Sequence, residues 1–166
     1  IKYGENPNQK AYYLTNNKSN LFSSQLSGKS LGYNNILDVS EGLNCLKEFN
    51  DPTCVIIKHN NPCGVASASN IKSAYLKAVK SDPVSSFGGV VLVNRKIDKD
   101  LATLIYNKFY EVILAPEFKA CWMEGSEADI LVSSRIVPSV MGTFISTLIT
   151  SFLFFKLSSD KLFIHQ

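Results

Sequence analysis

Histidine is scarce in this chain: of 166 residues only His59 and His165 carry an imidazole, and His59 alone lies outside the terminal tail. No two of the four cysteines, Cys45, Cys54, Cys63 and Cys121, form a C-x-x-C pair. That excludes the usual redox and zinc-ribbon spacings. The zinc-deaminase pattern P-C-x-x-C begins at Pro62-Cys63 and fails at Ala66, so no zinc site is expected there. The net charge is only +3, and no block of Lys and Arg is present. A nucleic-acid or heparin surface is therefore not expected. No secretory leader opens the sequence, which points to reduced thiols in a cytoplasmic setting. What is present is an ordinary core-forming composition, 45% hydrophobic and 19% charged. A chain of this length can build one domain with a real core.

Periodicity and punctuation set out the elements. Pro7 constrains a turn in Tyr3-Gly4-Glu5-Asn6-Pro7-Asn8-Gln9, and Ala11 to Leu14 reads as a short strand. A helix follows Asn34-Asn35, with Asp38 or Ser40 as its N-cap, and Asp51-Pro52 stops it. Thr53–Ile57 is a β-branched run that reads as a buried strand, with Lys58 and His59 at its carboxyl end. Asn60-Asn61-Pro62-Cys63-Gly64 reads as a loop. Asn70 caps a helix from about Ile71 to Lys80, and Asp82-Pro83 ends it. The tight loop Ser85–Gly89 leads into a second strand, Val90–Val93. Asp98 or Asp100 starts a helix running to about Phe109, and Val112–Ala115 is a third strand. Each connection is long enough for a helical crossover, so a parallel α/β sheet is expected, with ligands beyond the carboxyl ends of its strands.

The end of the chain differs. Ile136–Phe155 carries no formal charge and has the length of a bilayer span. It also holds Pro138, Gly142 and six Ser or Thr residues. It is read as a core helix or as a tail foreign to the fold, rather than as a membrane span. The start at Ile1 adds to the expectation that the sequence is a piece of a longer protein.

Lys58-His59 is the pair best suited to chemistry. An imidazole titrates near neutrality and can take a proton from a weak amine nucleophile. A lysine ammonium can stabilise a developing oxyanion or protonate a departing nitrogen. Successive strand residues point to opposite faces, so both reach one site only if the backbone turns there. The competing reading is a surface lysine beside a hydrogen-bonded histidine. Cys63 is either a nucleophile served by His59 or, on the blander reading, a small buried thiol. Ser86-Phe87-Gly88-Gly89 is an ordinary turn or a loop whose N–H groups approach a phosphate or a planar base. It matches neither a P-loop nor G-x-G-x-x-G. Lys2 and Tyr3 offer a cation and a hydroxyl to a phosphate, and Glu111 an acceptor to an amino or ribose hydroxyl group. Taken singly, each also reads as an exposed terminus or a solvated helix end.

Five segments in order carry a family resemblance: Tyr3-Gly4-Glu5-Asn6-Pro7-x-Gln9-Lys10, Gly28-Lys29-x-Leu31-x-Tyr33-Asn34-Asn35-Ile36-x-Asp38, Lys58-His59-x-Asn61-Pro62-Cys63-Gly64, Asp82-Pro83-Val84-Ser85-x-Phe87-Gly88-Gly89 and Glu111-Val112-Ile113-x-Ala115-Pro116. They resemble the transformylase half of the bifunctional purine biosynthesis proteins, which join phosphoribosylaminoimidazolecarboxamide (AICAR) formyltransferase to IMP cyclohydrolase. The resemblance covers residues 1–118, the N-terminal part of the transformylase domain. Residues 119–166 form a divergent apolar tail in which nothing of the family is recognised. Lys2 stands where the family usually has arginine, and Asn8 where it has histidine.

The resemblance implies an α/β fold with a cytidine-deaminase-like layered sheet and helices, without the zinc site. It implies formyl transfer from 10-formyltetrahydrofolate, as cosubstrate, to the 5-amino group of AICAR. Lys58 and His59 become the catalytic pair, and Lys2, Tyr3, Asn35, Gly88 and Glu111 the substrate-binding positions. A homodimer with sites at the subunit interface is implied, and no metal. The second transformylase subdomain and the cyclohydrolase domain are not recognised in this chain, so an incomplete unit is expected. The alternatives are an inactive remnant that keeps a nucleotide-binding fold, or a protein tethered to a membrane by Ile136–Phe155.

Overall fold

The computed structural model describes residues 1–14 and 25–118, and the backbone of 129–132, 155–158 and 161–164. Its elements are β1 (Ala11–Tyr13), β2 (Gln25–Ser27), α1 (Tyr33–Leu46), β3 (Thr53–Lys58), β4 (Asn61–Ser67), α2 (Ile71–Ser81), β5 (Val90–Val93), α3 (Lys99–Tyr106), β6 (Val112–Ala115), β7 (Asp129–Val132), β8 (Phe155–Ser158) and β9 (Lys161–Ile164). The larger sheet has the order β2-β7-β6-β5-β3-β4, and a smaller one the order β1-β9-β8.

Strand residues alternate between two cores, as a two-residue period requires. Cys54 and Ile56 of β3, Val91 and Val93 of β5, and Ile113 and Ala115 of β6 face α2 and α3, where they meet Ala74, Tyr75, Ala78, Leu101 and Ile105. Val55 and Ile57, Val90 and Leu92, and Val112 and Leu114 face α1, where they meet Ile36, Val39, Leu43 and Leu46. Both faces are covered, which is why these strands read as unbroken apolar runs. Each buried Val, Leu or Ile contributes about 1.5–3 kcal/mol. Asn94 closes the end of the sheet away from Lys58. Its side-chain oxygen accepts from the Thr53 N–H at 2.8 Å, and its amide nitrogen donates to the carbonyls of Asp51 and Phe49 at 2.7 and 3.2 Å.

The sheet is mixed, not parallel. β3 runs antiparallel to both β4 and β5, while β5–β6 and β6–β7 are parallel. The cause is local. Lys58 pairs with Asn61, so His59 and Asn60 form a two-residue turn, with φ of 53° and 62°. Positive φ at both central positions is the pattern of a type I′ hairpin, whose twist suits two antiparallel strands. Asn60–Gly64 is therefore not the loop its proline and glycine suggest. Only the turn residue Asn60 lies outside β4. Pro62 is tolerated because β4 is the edge strand and because the register slips between Ile56 and Ile57, passing over Cys63. Gly64 is required for space: a Cβ there would lie 2.2 Å from the Ala78 carbonyl oxygen, so α2 can pack on β4 only over a glycine.

Helix α1 begins at Tyr33, several residues before the Asp38 or Ser40 cap expected from sequence. Gly32 is its N-cap, without a side-chain hydrogen bond. Buried Tyr33, Ile36, Val39 and Leu43 give the helix its apolar face from the first turn, and packing overrides the weak cap. Asn70 and Asp98 do cap α2 and α3, accepting from the N–H of Ser73 and Leu101. Apart from Phe155, which opens β8, the uncharged run Ile136–Phe155 lies outside the described residues. Among the described residues no helix is long and apolar enough to cross a membrane.

Candidate active site

The antiparallel pairing of β3 with β5 creates the site. Ile57 pairs with Val90, so the carboxyl end of β3 lies beside the start of β5 and the loop before it. A parallel arrangement would have set them at opposite ends of the sheet. The Lys58 ammonium donates to the Phe87 carbonyl oxygen at 2.7 Å. Beyond it, Gly88 has φ of 69° and donates its N–H to the Phe109 carbonyl at 2.9 Å. The Glu111 N–H donates to the Gly89 carbonyl at 3.0 Å. Loop 85–89 is thus laced on one side to β3 and on the other to the segment entering β6.

Glu111 reaches across to α1, where the Asn35 amide nitrogen donates to its carboxylate at 2.8 Å. Asn35 lies in the first turn of α1, beside the amino-terminal segment. There Tyr33 donates its N–H to the Tyr3 carbonyl at 3.2 Å, and Lys2 donates its N–H to the Leu31 carbonyl at 2.9 Å. The Tyr3 ring lies against Gly32, where a Cβ would come within 3.1 Å of it. The Lys2 ammonium sits 5.3 Å from the centre of that ring, within range of a cation–π contact.

The structure therefore connects all seven positions named from sequence: Lys58 and His59 through the hairpin, Gly88 and Glu111 through the loop, Asn35 through Glu111, and Tyr3 and Lys2 through the start of α1. His59 is exposed at the turn, and Lys58 is half-buried. Phe87 and Phe109 form a tilted, partly exposed ring pair with centroids 5.5 Å apart over this region. Lys58 is the last residue of β3 and His59 the first of the turn; the Lys58 ammonium is fixed toward loop 85–89, and the His59 ring stands in solvent.

Asp38 is the residue that sequence reasoning missed at the site. Its place after Asn34-Asn35 suggests a cap, yet it lies inside α1, one turn past Asn35 and on the same face. Its carboxylate accepts the Asn60 N–H at 2.7 Å. Burial pushes its carboxyl up from the ordinary value. The Asn60 N–H and the His59 charge and N–H favour the ionised form, and Glu111 opposes it. The signal for it, an aspartate one helical turn from Asn35, was in the sequence; its partner 22 residues away was not.

Cys63 is half-buried and donates weakly to the Ile56 carbonyl at 3.5 Å. Burial holds its thiol above the ordinary range, more than Lys58 and Lys108 offset. That is the environment of a packed thiol, not of an activated nucleophile. Among the described residues no group of three His, Cys, Asp or Glu side chains could hold a metal ion.

The AICARFT/IMPCHase bienzyme family model matches residues 1–126. The bifunctional purine biosynthesis protein PurH of Caldicellulosiruptor bescii is 52% identical over 126 residues, and that of Caldicellulosiruptor saccharolyticus 53% identical over 124. PurH of Acetivibrio thermocellus is 49% identical over 122 residues. Each comparison covers 71% of this chain and 24% of the relative, so the chain spans about a quarter of the length of these proteins. Among solved structures, RibD of Acinetobacter baumannii aligns with a TM-score of 0.43 at 11% identity, over 71% of this chain and 41% of that one, too loosely to define the layering. By its family match and the identity of these relatives, this chain belongs to the AICARFT/IMPCHase bienzyme family.

Proposed function

We propose that this chain carries the Lys-His portion of a formyltransferase site of purine biosynthesis, moving a formyl group from 10-formyltetrahydrofolate to the 5-amino group of AICAR. The reading is supported by one arrangement above all: Lys58 and His59 stand at a hairpin turn beside Asn35, Glu111 and the 87–89 backbone. An aromatic amine is a poor nucleophile, so a positioned base is needed. His59 takes the N–H proton as nitrogen bonds to the formyl carbon. The Lys58 ammonium stabilises negative charge on the formyl oxygen. The bond from that carbon to the folate nitrogen then breaks, and the departing nitrogen receives a proton from His59 or Lys58. Asn35 and Glu111 offer a donor and acceptors to the nucleotide, Gly88 a close backbone approach, and Lys2 with Tyr3 a cation and a hydroxyl for its phosphate.

A cytidine-deaminase-like layering, a homodimer with shared sites, and a cytoplasmic location belong to the same proposal. So does the division into a transformylase portion, residues 1–118, and a tail, residues 119–166. A second reading is a portion that keeps a nucleotide-binding fold without turnover. Formyl transfer assayed in this chain and in a version extended to the length of the PurH relatives separates the two. Activity in the extended version alone supports the second reading for this chain. In an active version His59→Ala should lower turnover by about 10²- to 10⁴-fold; an unchanged rate would remove His59 from the mechanism.

A further inference from the structure

We propose that Asp38 is a positioning residue: its carboxylate holds the His59–Asn60 turn by the Asn60 backbone amide and so fixes where His59 stands. The inference rests on the reading of His59 as the base.

The turn needs such a clamp. His59 and Asn60 are consecutive non-glycine residues at positive φ, a conformation that persists when its surroundings enforce it. The Asn60 N–H donates to Asp38 Oδ1 at 2.7 Å, a short, charge-assisted bond. One side chain thus holds the strained pair from a helix 22 residues away.

The clamp is mounted rigidly. Asp38 projects from α1, whose apolar face is locked into the core by Ile36, Val39 and Leu43. Its neighbour one turn earlier, Asn35, holds Glu111. A single helical turn therefore fixes the His59 hairpin and the acceptor at the entry to β6. Aspartate is a poor residue for a helix interior, because its side chain competes for local amides. Here its hydrogen bond runs to a residue 22 positions away, so the cost serves tertiary structure.

The charges around the pair can be named. His59 favours the ionised Asp38, and Glu111 and burial oppose it. Lys58, adjacent in sequence, is engaged by the Phe87 carbonyl.

The test is NMR-detected amide exchange in the 166-residue chain. Asp38→Asn keeps an oxygen for the Asn60 amide, which should stay protected. Asp38→Ala should lose about tenfold or more of that amide's protection. Full Asn60 protection in Asp38→Ala, or a loss in Asp38→Asn as large as in Asp38→Ala, would overturn the proposal. If Asp38→Ala does not fold, the unsubstituted turn still decides: the Asn60 amide proton must shift as Asp38 titrates, and a flat profile overturns the clamp. None of these readouts depends on turnover. A His59→Ala enzyme of full rate would therefore sink the base assignment and leave the clamp to be judged by NMR alone.

Discussion

The Lys58 ammonium and the Phe87 carbonyl oxygen, 2.7 Å apart, join the end of β3 to the loop before β5. The lysine is held by a neutral acceptor, not by a carboxylate, so its positive charge is not cancelled where it is anchored. Only one of its three donors is engaged in that bond. Among the described residues its other donors make no further hydrogen bond, and they can turn toward a ligand beside the 87–89 backbone. A strand end, an antiparallel neighbour and a glycine loop together do what no single segment could.

Lys58→Gln tests that arrangement. Glutamine still offers an N–H to the Phe87 carbonyl but carries no charge. In a version of the enzyme active in formyl transfer, kcat should fall by about 10²- to 10³-fold, the usual cost of removing one group that stabilises an oxyanion. The KM for AICAR should change much less. A loss confined to KM would make Lys58 a binding group and nothing more.

His59→Asn should separate stability from chemistry. Asparagine tolerates the left-handed region better than histidine, and a type I′ turn favours it at the first central position. The variant should gain about 0.5–1 kcal/mol against urea while losing formyl transfer. Destabilisation by that substitution would mean that the imidazole holds the turn rather than being held by it.

Much of this geometry was legible in the residues. Thr53–Ile57, Val90–Val93 and Val112–Ala115 are unbroken apolar runs because both faces of the sheet are covered, and all three form strands. Asn70 and Asp98 cap the helices they precede. What was not legible is long-range. The Asn61–Ser67 strand hides behind Pro62 and Gly64, residues that break regular structure except at an edge strand, at a bulge, or under a closely packed helix. Missing it gives β3 the wrong neighbour and a parallel sheet, which leaves the Ser85–Gly89 loop far from Lys58. Asp38 reads as a cap because its partner, the Asn60 amide, is a backbone group with no signature of its own.

Two glycines should respond differently to alanine. At Gly88 the only atoms of the described residues near a new Cβ are those of the Phe109 ring, at 3.7 Å or more, so the penalty comes from φ of 69°. That should cost about 1 kcal/mol. At Gly64 the Cβ would meet the Ala78 backbone oxygen at 2.2 Å, and a backbone atom cannot rotate away. Moving α2 off β4 should cost at least about 3 kcal/mol, the upper end for overpacking. Urea midpoints of the two variants measure the difference, and equal losses would contradict the packing of α2 over Gly64.

Alkaline stability should depend on Tyr110. Its hydroxyl and that of Tyr75 lie 3.0 Å apart in the core, and both side chains are buried. Burial first, then the bond to Tyr75, pushes the Tyr110 phenol far above its ordinary range; burial also raises Tyr75. In the unfolded chain both ionise near pH 10, while in the folded chain Tyr110 keeps its proton. Above that pH the unfolded state binds fewer protons than the native state, so stability falls as pH rises. Tyr110→Phe removes one of the two groups responsible and leaves the Tyr75 hydroxyl without its partner. The variant should be weaker at pH 7 by about 1 kcal/mol, the worth of one buried hydrogen bond. It should also lose less stability between pH 9 and pH 11, so the gap to the parent narrows. Urea midpoints across that range check both parts, and parallel decline of the two proteins would show that Tyr110 ionises as freely in the folded chain as in the unfolded one.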